Sequence, residues 1–457
     1  MRRVLDAAVE RVLSHVASLP DQPAADVDGA GEVARRLRQP MREGGADLEE
    51  TLSLLFDQAV PKSFNTAGPG YLAYIPGGGL FTSAVAALIA SAVNRYVGVW
   101  AAAPALVQLE ADVLRWCCDL VGFGPGAGGV LTSGGSLGNF SAIVMARVAR
   151  LPADFLRGRL YVSTEAHHSV RKAALLAGFP PEAVRAVPTD ARLRMCLPSL
   201  EAAIAADRAA GLSPFLVVAS AGTTNTGAVD DLEALAELAS RERLGLHVDA
   251  AYGGFFLLTE AGRRALRGVE RADSVVLDPH KGLFLPYGVG ALVVRDTAAL
   301  RRAHGVPADY LPEAPGEPGA VDFSELSPEL SRDFRGLRVW LPLRLHGVAA
   351  FRRALDEKLE LARWACEQVR RMPDVEIVAE PQLSLFAFRL VRPGLDGAAL
   401  DALNRAWLAA TNARQRVHLS GTLVHGRFVL RVCVLSFRTH RDRLEAGLED
   451  LRASLPA

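Results

Sequence analysis

Between about residues 61 and 300, short apolar runs alternate with alanine-rich segments of helical period. The runs are Leu160-Tyr-Val-Ser163, Phe215-Leu-Val-Val-Ala-Ser220, Leu246-His-Val-Asp249, Ser274-Val-Val-Leu-Asp278 and Gly290-Ala-Leu-Val-Val294. A short continuous apolar run, without polar alternation, is the pattern of a strand covered on both faces. Its repeated alternation with helices predicts an α/β domain built on a mostly parallel sheet.

The flanking regions read differently. Residues 1–60 are amphipathic and helical in pattern, broken near Pro20–Gly31 and Pro40–Gly45. Such an arm cannot bury its own apolar faces and suits a position on another subunit. Residues 305–334 are polar, weakly periodic and punctuated by Pro307, Pro312, Pro315, Pro318 and Pro328. A long irregular stretch in a compact protein is usually functional or disordered. From residue 335 to 457 helical periodicity returns, with strands predicted at Ser384–Leu390 and Phe428–Val434 and a last helix from about Thr439. This predicts a smaller C-terminal α+β domain behind the large domain of residues 61–304.

Composition narrows the function classes. The chain has 457 residues, half of them hydrophobic, with a formal net charge of +0. That length supports a large core and more than one lobe, and the neutral balance gives no electrostatic footprint for nucleic acid or an anionic membrane. Arg301-Arg302, Arg352-Arg353 and Arg370-Arg371 are short, lie beside acids and read as solvated faces. Five cysteines, two of them the vicinal Cys117-Cys118, form neither a disulfide framework nor a metal-ligand spacing. They fit a reducing cytoplasm. The N-terminal Met1-Arg-Arg-Val-Leu-Asp6 turns charged too soon for a secretory signal, and Leu80–Ala92 is too short to span a bilayer.

The candidate chemistry sits at strand ends. Lys281 follows the run Ser274–Asp278 in Asp278-Pro-His280-Lys281, in a chain rich in arginine and poor in lysine. Asp249 closes the preceding run, with Ala251 two residues on. A lysine and an acid at neighbouring strand ends are what pyridoxal phosphate requires. The amine forms a Schiff base with the aldehyde, and the carboxylate keeps the pyridine nitrogen protonated so that the ring accepts electrons. The alternative for Asp249 is a helix cap or turn-former, and a single lysine after a strand is often a surface residue. Thr132-Ser-Gly-Gly-Ser136-Leu-Gly-Asn139 opens a helix with exposed amides and hydroxyls, an anion site suited to phosphate. It lacks the lysine of a nucleotide P-loop and the GxGxxG spacing of a dinucleotide fold. One of His167 and His168 can stack on the ring. Thr223 and Thr224 close another strand at the same expected rim.

In this order, these segments resemble the pyridoxal-phosphate-dependent decarboxylases of the aromatic-L-amino-acid, glutamate and histidine decarboxylase group. The resemblance covers roughly residues 60–450. It is carried by Pro104-Ala-Leu-Val-Gln-Leu-Glu110, Thr132–Ser136, Ala166–Val170, Gly222-Thr-Thr224, His247–Gly253, Asp278–Lys281 and Phe334–Trp340. It implies fold type I and pyridoxal 5′-phosphate bound as a Schiff base on Lys281. It further implies His167 stacked on the ring, Asp249 at the pyridine nitrogen, Ala251 beneath the ring, and Gly135, Ser136 and His280 at the phosphate. The expected activity is decarboxylation of an L-amino acid to an amine and CO2. A homodimer with shared active sites is implied as well, with a mobile loop around residues 310–330.

Three departures bear on substrate and product. Members acting on aromatic amino acids usually carry a loop Tyr that helps protonate the product carbanion. Alignment from Asp333-Phe-Arg335 puts Phe323 there, with Tyr310 as another candidate donor. Without a donor, oxygen can intercept the carbanion, so an aldehyde synthase is the alternative. Around Tyr74, Ile75 and the glycines Gly77–Gly79 replace an aromatic and polar residues, and Gly98 stands where a substrate-facing aromatic is usual. A wider, less aromatic pocket is expected. Other chemistry on the same cofactor, or a scaffold that kept the fold, completes the alternatives.

Overall fold

The computed structural model describes residues 1–41, 43–306 and 319–456. The chain divides into two compact units, one formed by Gly79–Leu359 and Ala379–Leu385, the other by Met1–Gly78, Glu360–Val378 and Phe386–Ala457.

The first unit is organised by a seven-stranded sheet. Its strands are β1 (Gly128–Thr132), β2 (Gly158–Ser163), β3 (Val184–Val187), β4 (Ser213–Ser220), β5 (Gly245–Asp249), β6 (Ser274–Leu277) and β7 (Gly290–Val294). Their order is β1-β7-β6-β5-β4-β2-β3, parallel from β3 through β6, with β7 antiparallel to both its neighbours. The expected mostly parallel sheet is therefore present. β2, β6 and β7 are buried along their whole length, as their unbroken apolar runs require. Reversal of β7 leaves β1, β2, β4, β5 and β6 pointing the same way, so their carboxyl ends share one rim.

The other unit contains a four-stranded sheet of β8 (Val375–Ala379), β9 (Leu385–Leu390), β10 (Ser420–Val424) and β11 (Arg427–Cys433), ordered β10-β11-β9-β8. Its core packs Phe386, Phe388, Trp407, Leu430 and Val432, with Trp407 edge-on to Phe388 at 5.5 Å. The arm forms helices Arg2–Ser18, Ala30–Arg36 and Leu48–Ser53, and none of their residues is buried. Val4, Leu5, Val9 and Leu13 stay exposed on the first of these helices.

A buried ion pair anchors the chain just ahead of helix Arg335–His346. The side chains of Arg332 and Glu110 are fully buried and 2.6 Å apart. Glu110 also accepts the Gly336 N–H at 3.0 Å, and Arg332 donates to the Leu131 carbonyl at the end of β1. Removing one member of such a pair strands a charge in the core, whereas replacing both by apolar residues does not. Glu110→Leu is expected to destabilise the protein by about 3–5 kcal/mol. Glu110→Leu with Arg332→Leu is expected to recover most of that loss. Chemical denaturation of both variants checks this, and a double variant no more stable than Glu110→Leu alone would contradict it.

Candidate active site

The shared rim of β1, β2, β4, β5 and β6 opens into a cavity of about 360 Å³, within the range of small-molecule sites. Each strand delivers one part of its lining. β6 ends at Leu277, Asp278 follows, and the single helical turn Pro279–Gly282 carries His280 and Lys281. β5 ends at Asp249, whose backbone pairs in register with Val276 of β6. The acid and the lysine, distant in sequence, thus leave neighbouring strands. β2 leads to His167, which caps helix His168–Leu176 by accepting the Ser169 N–H on its ring. β1 leads through Ser133-Gly134 into helix Gly135–Arg150.

Lys281, Asp249, His167, Gly135, Ser136, Thr224, Ala251 and His280 all line this cavity. Lys281 Nζ lies 3.0 Å from Asp278 Oδ2, and His280 Nε2 lies 3.6 Å from the same oxygen. His280 Nδ1 meets the Val289 carbonyl at 2.6 Å, which makes that nitrogen the donor. Asp249 accepts the Ala251 N–H on Oδ1 at 3.2 Å and the Asn139 amide on Oδ2 at 2.9 Å. Burial pushes His167 below its ordinary pKa, opposed by the nearby Asp249 charge. Burial likewise lowers His280, with Asp278 opposing.

Three other positions lie elsewhere. Phe323 is 1% exposed on the short turn Phe323–Glu325, its ring 5.0 Å from the Arg332 guanidinium, and it is outside the cavity lining. Gly98 is its neighbour and is also outside that lining: the Ser324 N–H donates to the Gly98 carbonyl, and Asp322 accepts the Trp100 N–H. A Cβ on Gly98 would fall 2.3 Å from the Tyr96 hydroxyl, so the Tyr96 ring occupies the space a side chain at 98 needs. Tyr74, in the other unit, is 55% exposed at φ 49°; its N–H faces Ser420 Oγ and its carbonyl accepts from Arg431. Tyr310 lies outside the described residues.

The motifs contained other polar residues to which sequence reasoning attached no role. Asn139 is 1% exposed, Ser169 3%, His247 fully buried and Asp278 1%. The signal for them was present: a polar side chain inside an apolar run must find a partner. Which partner it finds depends on residues up to 110 positions away.

The site fits a phosphorylated aldehyde ring. A Cβ on Gly135 would come within 3.1 Å of the Ala251 methyl and 3.2 Å of Asp278 Oδ2, so only glycine leaves that floor open. Asp278 Oδ1 is buried with no hydrogen-bond partner among the described residues. A helix start with bare backbone amides faces the same space, as phosphate requires.

Comparison with known proteins agrees with this chemistry. The model of the pyridoxal-dependent decarboxylase conserved domain matches residues 49–391. An aromatic-L-amino-acid decarboxylase from Bacillus atrophaeus is 33% identical over 465 residues, spanning 100% of this chain and 97% of the relative. The Homo sapiens cysteine sulfinic acid decarboxylase is 35% identical over 350 residues, covering 74% of this chain and 71% of that protein. Among solved structures, Oryza sativa TDC with PLP and tryptamine superposes with a TM-score of 0.94 at 28% identity, covering 99% of this chain and 97% of the other. On the strength of a family match over residues 49–391 and of a relative 33% identical across its whole length, this chain belongs to the pyridoxal-dependent decarboxylases.

Proposed function

We propose that this chain, a carboxy-lyase dependent on pyridoxal 5′-phosphate, removes the α-carboxylate of an L-amino acid to give the amine and CO2, with Lys281 as the cofactor lysine. The observation that carries the reading is the convergence of Lys281 and Asp249, from adjacent strand ends, on one cavity.

When bound, pyridoxal phosphate supplies the electron sink for the bond to the departing carboxylate. The residues of the chain do the rest. Asp249 lines the cavity, its carboxylate oriented by the Asn139 amide and the Ala251 N–H. It is the proposed partner of the ring nitrogen. His167 is the proposed stacking residue, with Ala251 opposite. Gly135, Ser136, Thr224 and His280 are the proposed phosphate ligands. Asp278 Oδ2, 3.0 Å from Lys281 Nζ, offers the amine a counter-charge and a place for its proton. Holding the scissile bond in one orientation is what selects loss of carboxylate over other reactions of the same cofactor.

The relatives named above act on aromatic amino acids in one case and cysteine sulfinic acid in another, so the substrate side chain is a matter for assay. Phe323 and Gly98 form one packed cluster away from the described lining, and a less aromatic pocket is the proposal consistent with it. A homodimer is proposed, supported by the exposed apolar face of helix Arg2–Ser18. A reducing, cytoplasmic setting is proposed from the five free cysteines. Among the described residues no helix is long and apolar enough to cross a membrane.

Borohydride reduction of the cofactor-loaded protein is expected to fix the cofactor to the peptide containing Lys281, as read by mass, and Lys281→Ala to abolish that adduct. Asp249→Asn is expected to lower kcat by about 100- to 1000-fold with protein fold retained by circular dichroism; a loss under tenfold would count against its pairing role. A panel of aromatic, acidic and aliphatic L-amino acids, with CO2, amine, aldehyde and peroxide measured together, is expected to yield amine equal to CO2. Peroxide equal to CO2 would replace this reading with that of an aldehyde synthase.

A further inference from the structure

From the wall of the cavity into the core, a chain of buried polar groups runs between the helix after β2 and β6. Its centre is Asn139, the fifth residue of helix Gly135–Arg150. Asn139 Nδ2 donates to Asp249 Oδ2 at 2.9 Å and to Ser169 Oγ at 3.0 Å, and Oδ1 faces His247 Nε2 at 2.9 Å. His247 Nδ1 faces Ser274 Oγ at 2.8 Å. On the other side Ser169 Oγ lies 2.7 Å from His167 Nδ1, and the Ser169 backbone N–H donates to the same nitrogen at 3.3 Å.

Proton positions follow from donor and acceptor counting. A carboxylate accepts only, so the Asn139 amide cannot be turned over without setting two acceptors face to face. With the amide fixed, Oδ1 requires a proton on His247 Nε2. Burial pushes His247 down to about 4, opposed by the nearby Asp249 charge, and its Nδ1 faces the Ser274 hydroxyl. Ser169 Oγ takes the second amide proton of Asn139, which leaves its own proton to donate to His167 Nδ1. The backbone N–H converging on that nitrogen requires the same assignment. The proton of neutral His167 therefore sits on Nε2.

We infer that Asn139 is a positioning residue: through its amide the carboxylate of Asp249 and, by way of the Ser169 hydroxyl, the imidazole of His167 are oriented as one unit, and the Nε2 proton of His247 is set by it, while the His167 tautomer is shared between the Ser169 hydroxyl and backbone N–H. This rests on the reading of Asp249 and His167 as cofactor partners. Three groups face the amide, namely Asp249 Oδ2, Ser169 Oγ and the His247 Nε2–H, and each loses a partner if it is removed. The charged and titratable groups acting on His167 itself are Asp249, His168, Lys281 and Asp278.

Three protein forms test this: wild type, Asn139→Ala and Ser169→Ala, each checked by far-ultraviolet circular dichroism. Histidine ¹⁵N chemical shifts of the wild-type holoprotein are expected to show His167 and His247 protonated on Nε2. Asn139→Ala is expected to weaken pyridoxal phosphate binding by about 10- to 100-fold and to move the pH midpoint of the bound cofactor's visible absorbance by about one unit. Ser169→Ala is expected to alter the His167 signals while leaving those of His247 in place. A wild-type His167 protonated on Nδ1 overturns the inference even if Asn139→Ala fails to fold. Wild-type affinity and midpoint in Asn139→Ala overturn it alone, provided borohydride traps the cofactor on Lys281. If the wild type traps none there, the functional reading falls together with it.

Discussion

A carboxylate at the end of a buried parallel strand must be met by donors, or it is too costly to keep there. Asp249 is such a group, and the rest of the site is arranged around meeting its demand. The Ala251 N–H serves one oxygen and the Asn139 amide the other. Asn139 in turn commits His247, Ser274, Ser169 and the His167 ring. One acidic side chain thus gives direction to polar groups on four separate elements of the sheet and its helices.

The same sheet explains why such a network can be rigid. Strands buried on both faces leave little room for rotamer change, and packed interiors resist displacement. Lys281 and Asp278 follow β6, Asp249 closes β5, and the register of those two strands sets their spacing. The antiparallel β7 matters as well. It begins at Gly290, where a Cβ would fall 2.6 Å from Gly134 Cα, so the backbone of β7 presses directly on the glycine loop after β1.

Much of this was legible in the chain itself. The runs at Leu160, Phe215, Leu246, Ser274 and Gly290 each became a strand of the large sheet, because a doubly covered strand needs uninterrupted apolar sequence. β3 (Val184-Arg-Ala-Val187), β8 and β10 did not stand out. Only one residue of each is fully buried, so their sequences carry no strong apolar signal. At the site, the lysine, the acid and the glycine loop were visible through their residue types and their places at strand ends. The clustering of Gly98 with Phe323, and the Tyr96 ring that fills the space beside Gly98, were not. The first arises from a contact between segments more than two hundred residues apart, and the second from the side-chain direction of a near neighbour; no local period encodes either.

Sequence alone determined the α/β class, the residues at the carboxyl ends of the strands and the chemistry those residue types permit. Those features follow from local physics: apolar continuity, strand-end position and the reactivity of an amine beside an acid. Tertiary structure alone decided which buried polar atom answers which. Asn139 could have bonded its own helix, and His247 could have been an isolated core histidine. The bonds of Asn139 to Asp249 and to His247 depend on the neighbouring positions of β5 and the helix after β1, because hydrogen bonds act only over about 3 Å and the groups concerned are brought within that distance only by the finished sheet.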